Sequence, residues 1–306
     1  MKKKINNFFE DPTPNVYRCT IKNKVNIIDT DRGCFVFKEK KGNNIDNIYN
    51  YLKSRSFDYY PKLLKTNDTY NIYEYIENID TPNEQKALDM IYILSMLHNK
   101  TTFYKEVDSD EYKIIYENLL YEIESINNYY NNVIEDIEKT IYMSPSQYLI
   151  ARNISQIYLS LYYSRTELDK WYEQIKEKNK KRVVTLYNNL DIDHLIRNKD
   201  LYLVGWEKSK IDIPIYDFCN FYKKYALDFE FFDLLKEYEN RYPLLADEKK
   251  LLFILINIPE RMIFTNDEFE NCKKAKNIVD YIYKTEKLIF SEKENNTKNE
   301  GNDFNK

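Results

Sequence analysis

The sequence predicts an α+β fold with two lobes, a small strand-rich N-terminal lobe with one helix and a large, mostly helical C-terminal lobe. Up to about residue 76, short alternating apolar runs are bounded by turn residues, whereas later segments repeat apolar residues at helical spacing. The polar residues after the last run are typical of a hinge. We therefore divide the chain into an arm (1–14), a strand-rich lobe (15–76), a helical lobe (77–290) and a disordered tail (291–306).

The N-terminal lobe is predicted to contain five strands and one helix. Gly33 supplies the positive φ that the turn between the second and third strands needs, and the third strand carries Lys38 at its end. Ile45, Tyr49 and Leu52 recur at helical spacing and predict a helix over Gly42–Phe57. The predicted strands are Val16–Ile21, Val25–Asp29, Cys34–Lys38, Tyr60–Lys65 and Tyr70–Ile76.

Helices dominate the predicted C-terminal lobe. Thr81-Pro82-Asn83-Glu84 is a capping pattern, with Thr81 as the cap and Glu84 three residues later, and the helix that follows buries Leu88, Ile91, Leu94, Leu97 and His98. Ser144–Pro145 separates two long helices. From Ser291 the composition is mostly Glu, Asn, Lys and Thr, which predicts the disordered tail. The remaining predicted helices are 108–142, 144–180, 227–242, 247–256 and 277–289.

Composition excludes several classes of function. The formal net charge is −4, so no basic field attracts nucleic acid, and we expect no nucleic-acid partner. No run approaches 18 apolar residues, so we expect no membrane span, and the N-terminus lacks a signal-peptide pattern, which predicts a cytoplasmic protein at synthesis. The four cysteines lie far apart without a C-x-x-C pair, which argues against a zinc site or a disulfide framework.

The central stretch Val183–Tyr225 is where chemistry is expected. It predicts a strand, a polar loop, two short strands joined by a turn at Arg197–Asp200, and an aromatic-rich helix. Three segments within it are distinctive, and a fourth lies further on: Tyr187–His194 (YNNLDIDH), Val204–Glu207 (VGWE), Asp212–Phe218 (DIPIYDF) and Leu251–Phe264 (LLFILINIPERMIF).

These segments resemble the aminoglycoside phosphotransferase and choline kinase superfamily, which has a protein kinase-like fold, and within it the kinase-like spore coat proteins. The resemblance implies that Asn189 stands where the family has its catalytic aspartate. His194 stands at the metal-binding asparagine, and Gly205 at the metal-binding aspartate. Neither Asn189 nor Gly205 can do the chemistry of a carboxylate, so the catalytic motifs are degenerate.

Other family positions are retained. Lys38 corresponds to the phosphate-binding lysine, and Asp46 is the acidic residue of the N-lobe helix that could pair with it, in place of the family's glutamate. Asp212 and Asp217 keep the structural frame of the third segment. Within this resemblance we therefore expect Lys38 and Asp46 to form the nucleotide-binding pair.

Nearby acids could replace the missing ones. Asp191 and Asp193 are possible substitutes for the catalytic aspartate, and with His194 they could hold a divalent ion. Glu207 is a further possible metal ligand. These residues do not define a cofactor, and we expect ATP and Mg²⁺ as ligands only if activity is retained.

The resulting hypothesis is a catalytically impaired kinase-like protein, a pseudokinase, with a structural or interaction role. The coat resemblance implies other coat or scaffold proteins as partners and deposition in the spore coat after cytoplasmic synthesis. Two alternatives stay open. One is an active small-molecule phosphotransferase that uses ATP and the remodelled acids, and the other is a regulator that binds a nucleotide through Lys38 without a metal.

Overall fold

The computed structural model describes residues 15–22, 25–40, 45–66 and 69–303, and the predicted arm at 1–14 lies outside these ranges. The chain packs as two compact units. One comprises the residues up to Thr101 together with Tyr187–Lys210, and the other comprises Thr102–Leu186 together with the residues from Ile211 onward. The segment 77–101 and the polar loop region thus pack with the sheet of the first unit.

The first unit contains a five-stranded antiparallel sheet with strand order β1-β2-β3-β5-β4. All five predicted strands are confirmed, although β4 begins three residues later than expected. Ile28, Phe37 and Ile72 form a core on one face of the sheet. Val36 and Lys38 alternate with Phe35 and Phe37, so they lie on the other face. The strands are β1 (Val16–Lys22), β2 (Val25–Thr30), β3 (Gly33–Glu39), β4 (Leu63–Thr66) and β5 (Tyr70–Glu74).

The predicted N-lobe helix is present as α1, which spans Ile45–Ser54 in the described residues and buries Ile45, Tyr49 and Leu52. The prediction Gly42–Phe57 extends too far at its C-terminal end. Ser56 has a φ of 55°, a left-handed conformation that ends a right-handed helix.

The second helix of this unit, α2, spans Asn83–Thr101. The predicted cap at Thr81 is wrong, because its buried hydroxyl has no hydrogen-bond partner among the described residues, and the first helical turn instead closes through Lys86 N to Pro82 O. The apolar face is confirmed for Ile91, Leu94, Leu97 and His98, which are fully buried, but Leu88 is 39% exposed.

The hairpin of β8 (Leu195–Arg197) and β9 (Leu201–Leu203) completes the unit.

The second unit contains a three-stranded sheet in the order β10-β7-β6, formed by β6 (Phe103–Glu106), β7 (Lys180–Leu186) and β10 (Lys210–Asp212). Strand β6 was not predicted from the sequence, and the helix before β7 was predicted over 144–180. In the structure that helix ends at Ile175, and Lys180–Arg182 pair with Tyr104–Glu106. A run of charged residues fits an exposed strand as well as a helix end, so composition could not separate the two.

Six helices build the rest of the second unit among the residues that the structure describes. The predicted break is confirmed, since Ser144 accepts a hydrogen bond from Gln147 N in a capping box and Pro145 is the first helical residue. The helices are α3 (Ser109–Glu138), α4 (Pro145–Ile175), α5 (Ile215–Tyr225), α6 (Phe231–Arg241), α7 (Ala246–Asn257) and α8 (Glu268–Asp303).

Helix α8 corrects the prediction of a disordered tail from Ser291, because it is helical as far as Asp303. Part of the reason lies in Glu292, which is buried and forms a 2.5 Å ion pair with Lys249 of α7. Glu, Lys and Asn are compatible with both states, so composition alone predicted disorder where packing holds a helix. In the part of the chain with described structure, no helix is long and apolar enough to cross a membrane.

A buried ion pair joins β7 to α7 in the second unit. The Arg182 guanidinium donates hydrogen bonds to both carboxylate oxygens of Glu248 and stacks 4.4 Å from the Tyr242 ring centroid. Glu248 also accepts a 3.0 Å hydrogen bond from Leu245 N at the start of α7. This carboxylate therefore ties the helix start to the sheet.

We predict that Arg182→Ala lowers the free energy of unfolding by about 3–5 kcal/mol, because it leaves a buried carboxylate without its cation. Urea-induced unfolding measures the change. Lys139→Ala is the control, since its pair with Asp136 is exposed, and it should change stability by no more than about 0.5 kcal/mol. Equal effects of the two substitutions would contradict the structural role of the buried pair.

Candidate functional site

A cleft of about 440 Å³ lies within the first unit, between the sheet face that carries Lys38 and the loops around β8 and β9. The register between β2 and β3 explains which side chains form the wall on the sheet side of the cleft, called the upper wall. Val25 pairs with Lys38 and Ile27 pairs with Val36, so these side chains share a face. The other lining residues are Tyr49, Pro61, Tyr73, Glu74, Tyr75, Ile76, Asn78, Asn189, Asp191, Asp193, His194, Leu195, Ile196, Val204 and Gly205.

The lysine of the cleft is held by a glutamate. Lys38 Nζ lies 2.7 Å from Glu207 Oε1, and the two side chains are 28% and 19% exposed. Glu207, expected from the sequence as a possible metal ligand, thus pairs with Lys38 from the loop after β9. The pairing of Lys38 with Asp46 of α1 stays a prediction.

Trp206 fixes the position of that loop. Its indole is fully buried and donates a 2.8 Å hydrogen bond from Nε1 to Leu203 O. The ring packs edge-on against Phe57 and Tyr187, with centroid separations of 5.8 and 5.0 Å, and the Tyr187 hydroxyl donates to Val204 O. Because both sides of the loop are held, Glu207 is presented to Lys38 from a rigid support.

The contact between Asn189 and Gly205 depends on an amide side chain at the first position and on the absence of a side chain at the second. The Asn189 side chain donates a 2.9 Å hydrogen bond from Nδ2 to Gly205 O. An aspartate carboxylate has no proton to donate at neutral pH and would face that carbonyl oxygen with its own oxygen. Gly205 has a φ of 91°, and a Cβ on it would lie 2.8 Å from Asn189 Nδ2. The local structure therefore disfavours an aspartate at either position.

His194 and the two loop aspartates also line the cleft, but their groups support the loop. His194 Nδ1 lies 2.8 Å from Asn189 O, so the proton belongs on Nδ1 in this contact. Asp191 Oδ1 accepts from Asp193 N at 3.0 Å and caps the short 3₁₀ turn Ile192–His194. Over the described residues, no three His, Cys, Asp or Glu side chains come together as a metal site would require.

Two tyrosines that sequence analysis did not assign to the site form part of its wall. Burial raises the pKa of Tyr49 well above its ordinary value, with neighbouring Tyr73 and the negative charge of Glu207 adding to the effect. Burial likewise raises the pKa of Tyr73, and Glu207 is the next contribution. Both hydroxyls therefore stay protonated at neutral pH. Their helical and strand positions were predicted, but no sequence signal indicated that both face Lys38.

The segment after β5 is tied to the β8–β9 hairpin. Ile79 N donates to Arg197 O at 2.7 Å, and Arg197 N donates to Asn78 Oδ1 at 2.9 Å. The Arg197 guanidinium also forms a 2.6 Å ion pair with Asp89 of α2. These contacts hold the predicted hinge residues against the lower wall of the cleft.

Three predicted residues are not among those that line the cleft. Asp46 is in the first turn of α1, near enough for its charge to contribute to the raised pKa of Tyr73. Asp212 and Asp217 belong to the second unit, where Asp212 Oδ1 accepts from Ile213 N at 2.9 Å and Asp217 is fully buried in the first turn of α5. Their structural role remains a prediction.

Mg²⁺ is usually held by one or two carboxylates together with waters and substrate phosphates. At the positions that the resemblance compares with the catalytic and metal-binding aspartates, the cleft offers instead an amide that donates and a glycine, and the nearby carboxylates that line it are those of Asp191 and Asp193. The sheet side of the cleft is apolar at Val25, Ile27 and Val36 and carries the Lys38 ammonium group, and the opposite side includes polar residues of the loop 189–194.

Comparisons with known proteins agree with the fold. Neither protein-family models nor curated proteins give a match to this sequence. Among solved structures, an aminoglycoside phosphotransferase from Alicyclobacillus acidocaldarius superposes with a TM-score of 0.74 at 7% identity, covering 96% of both chains. A spectinomycin phosphotransferase, solved as an AMP-bound complex, superposes with a TM-score of 0.54 at 12% identity, covering 88% of this chain and 93% of that chain.

A choline kinase from Streptococcus pneumoniae gives a TM-score of 0.45 at 17% identity over 90% of this chain and 94% of that one, and the fold assignment does not rest on it. Identities this low establish a fold and not an activity. The chain has the kinase-like α+β fold seen in aminoglycoside phosphotransferases. The fold class predicted from the sequence is thereby confirmed.

We predict that Gly205→Ala destabilises the protein more than Gly33→Ala, as measured by urea-induced unfolding. Both glycines have positive φ, at 91° and 118°, but only Gly205 lacks room for a Cβ. Backbone strain should cost about 1–2 kcal/mol at each position, and crowding against Asn189 adds to this at Gly205. Equal losses at both positions would show that Asn189 moves aside without cost.

Proposed function

We propose that this chain is a pseudokinase, a kinase-like protein that does not catalyse Mg²⁺-dependent phosphoryl transfer and acts in a structural or interaction role. The observation that carries the proposal is the Asn189 amide, which donates a 2.9 Å hydrogen bond to Gly205 O. In an active phosphotransferase, an aspartate serves as the base, and acids hold the metal. Here an amide stands where the resemblance places the base, and a glycine stands where it places a metal-binding aspartate.

Association with the spore coat is part of the proposal. Its support is the resemblance of the segments at Tyr187–His194, Val204–Glu207 and Leu251–Phe264 to kinase-like coat proteins. The expected partners are other coat or scaffold proteins, and the expected site of action is the coat after synthesis in the cytoplasm. Expression confined to sporulation, measured as transcript and protein levels through the cell cycle, would support this role. Constant expression during growth would contradict it.

We predict that ATP with Mg²⁺ does not raise the melting temperature of the purified protein. A ligand at 100 times its dissociation constant stabilises the native state by about 2.7 kcal/mol, a shift that differential scanning fluorimetry measures easily. ATP alone and Mg²⁺ alone serve as controls. A saturable rise that requires both would overturn the proposal and favour an active phosphotransferase.

If such a rise occurs, the loop acids decide between turnover and simple binding. An active small-molecule kinase would consume ATP in the presence of a hydroxyl-bearing acceptor such as an amino sugar. Asp191→Asn or Asp193→Asn would then abolish consumption, and Asp136→Asn, an exposed aspartate on α3, would not.

A second candidate function is a regulator that binds a nucleotide without a metal. The 440 Å³ cleft with Val25, Ile27 and Val36 on one wall favours a flat ligand. The spectinomycin phosphotransferase with the same fold was solved with AMP bound. A nucleotide phosphate could compete with Glu207 for Lys38.

For this candidate we predict that a fluorescent ATP analogue binds in EDTA and that Lys38→Ala removes the binding. Glu207→Gln should tighten binding, because it releases Lys38 from its carboxylate and reduces repulsion of the phosphates. Lys40→Ala is the matched control, since Lys40 is exposed just beyond the same strand. Fluorescence anisotropy measures each affinity, and absence of binding by the wild-type protein would exclude the candidate.

A further inference from the structure

An exposed apolar surface lies at the α3–α4 turn of the second unit. Ile141 and Tyr142 are each 90% exposed, Met143 is 47% exposed, and Tyr148 in the second turn of α4 is 54% exposed. Phe269, in the first turn of α8, is 77% exposed. We call these five residues the turn patch.

The two parts of the turn patch are held side by side. Glu268, next to Phe269, accepts a 2.7 Å hydrogen bond from Ser146 N at the start of α4. This contact, foremost among several, lowers the pKa of Glu268 to about 2, so the carboxylate stays ionised and the link persists at neutral pH. Ser146 lies between Met143 and Tyr148 in the chain. The turn, the first turns of α4 and the start of α8 therefore form one surface.

The size of the turn patch is unusual for an isolated molecule. A fully exposed large side chain presents about 200 Å², so the five residues together expose on the order of 700 Å². The largest apolar patch on a typical monomer is about 300–600 Å², whereas a stable interface needs about 800 Å² from each partner.

The charges beside the turn patch favour a second copy of the chain over an anionic membrane as its binding partner. Glu138 and Lys139 precede the turn, and Asp267, Glu270 and Lys273 flank Phe269, all of them exposed. The three carboxylates would be repelled by an anionic bilayer. A rim that carries both signs can pair with itself, because a two-fold axis brings the same surface of a second molecule into contact.

We propose that the turn patch is a homodimer interface, in which a second copy of this chain buries Ile141, Tyr142 and Phe269 against its own turn patch. The interface is separate from the cleft around Lys38 and does not depend on nucleotide binding. In such an interface each substitution acts twice, once on each copy. Tyr142 is the expected centre, since aromatic residues dominate the energetics of interfaces.

The test is sedimentation velocity and light scattering of the full chain over a concentration series. We expect the wild-type protein to dimerise, and Tyr142→Glu to raise the dimer dissociation constant by about 30-fold or more. Tyr121→Glu is the matched control, because Tyr121 is 74% exposed on α3, well before the turn, and it should leave the dissociation constant unchanged. If circular dichroism shows that Tyr142→Glu is misfolded, Phe269→Glu takes its place.

A wild-type protein that stays monomeric at its highest soluble concentration would overturn the proposal. So would a dimer that Tyr121→Glu weakens as much as Tyr142→Glu does. Cosedimentation with phosphatidylserine-containing vesicles is the remaining comparison. Vesicle binding that Tyr142→Glu abolishes in a monomeric wild-type protein would assign the turn patch to a membrane surface and also overturn the dimer.

Discussion

The ion pair between Lys38 and Glu207 is the central charged contact of the cleft. In an active kinase, the charge of the corresponding lysine is paired with a glutamate and also reaches the nucleotide phosphates. Here Glu207 compensates that charge at 2.7 Å. The glutamate is held there by the buried Trp206, so the pairing results from the packing of the whole loop. Any anionic ligand must compete with a carboxylate that is already in place.

The same loop explains why Asn189 and Gly205 form a consistent pair. Asn189 donates to Gly205 O, and Gly205 adopts a positive φ at which a Cβ would lie 2.8 Å from Asn189 Nδ2. An aspartate at 189 would place oxygen against oxygen, and an aspartate at 205 would add a strained backbone to a steric contact. The amide of Asn189 therefore suits a glycine at position 205, and Gly205 suits an amide at position 189. The cleft is therefore better described as a rebuilt polar network than as an active site with two residues deleted.

The sequence predicted the architecture well because the relevant signals are local. Strand signals in Cys34–Lys38 placed Lys38 at the end of the third strand, and Ser144–Pro145 marked the start of α4 correctly. The pairing of Lys38 with Glu207 was missed, because Asp46 and Glu207 are equally acidic in the sequence and the packing of Trp206 cannot be read there. The pairing of Lys38 with Asp46 stays a prediction. Strand β6 and the continuation of α8 past Ser291 were missed for a related reason, since charged segments take the structure that their tertiary contacts stabilise.

In this chain, the contacts that stabilise the fold are different from the residues at the positions that carry catalysis in the resembling family. The fold is held by apolar faces such as Ile28, Phe37 and Ile72 and by buried tethers such as Arg182–Glu248, and none of these involves the residues at 189, 194 or 205. Substitutions at those three positions can therefore accumulate without loss of the architecture. This agrees with a TM-score of 0.74 at 7% identity to an aminoglycoside phosphotransferase. In a cleft without a catalytic role, as proposed here, selection for stability alone would favour groups that satisfy one another, and the Lys38–Glu207 and Asn189–Gly205 contacts are of this kind.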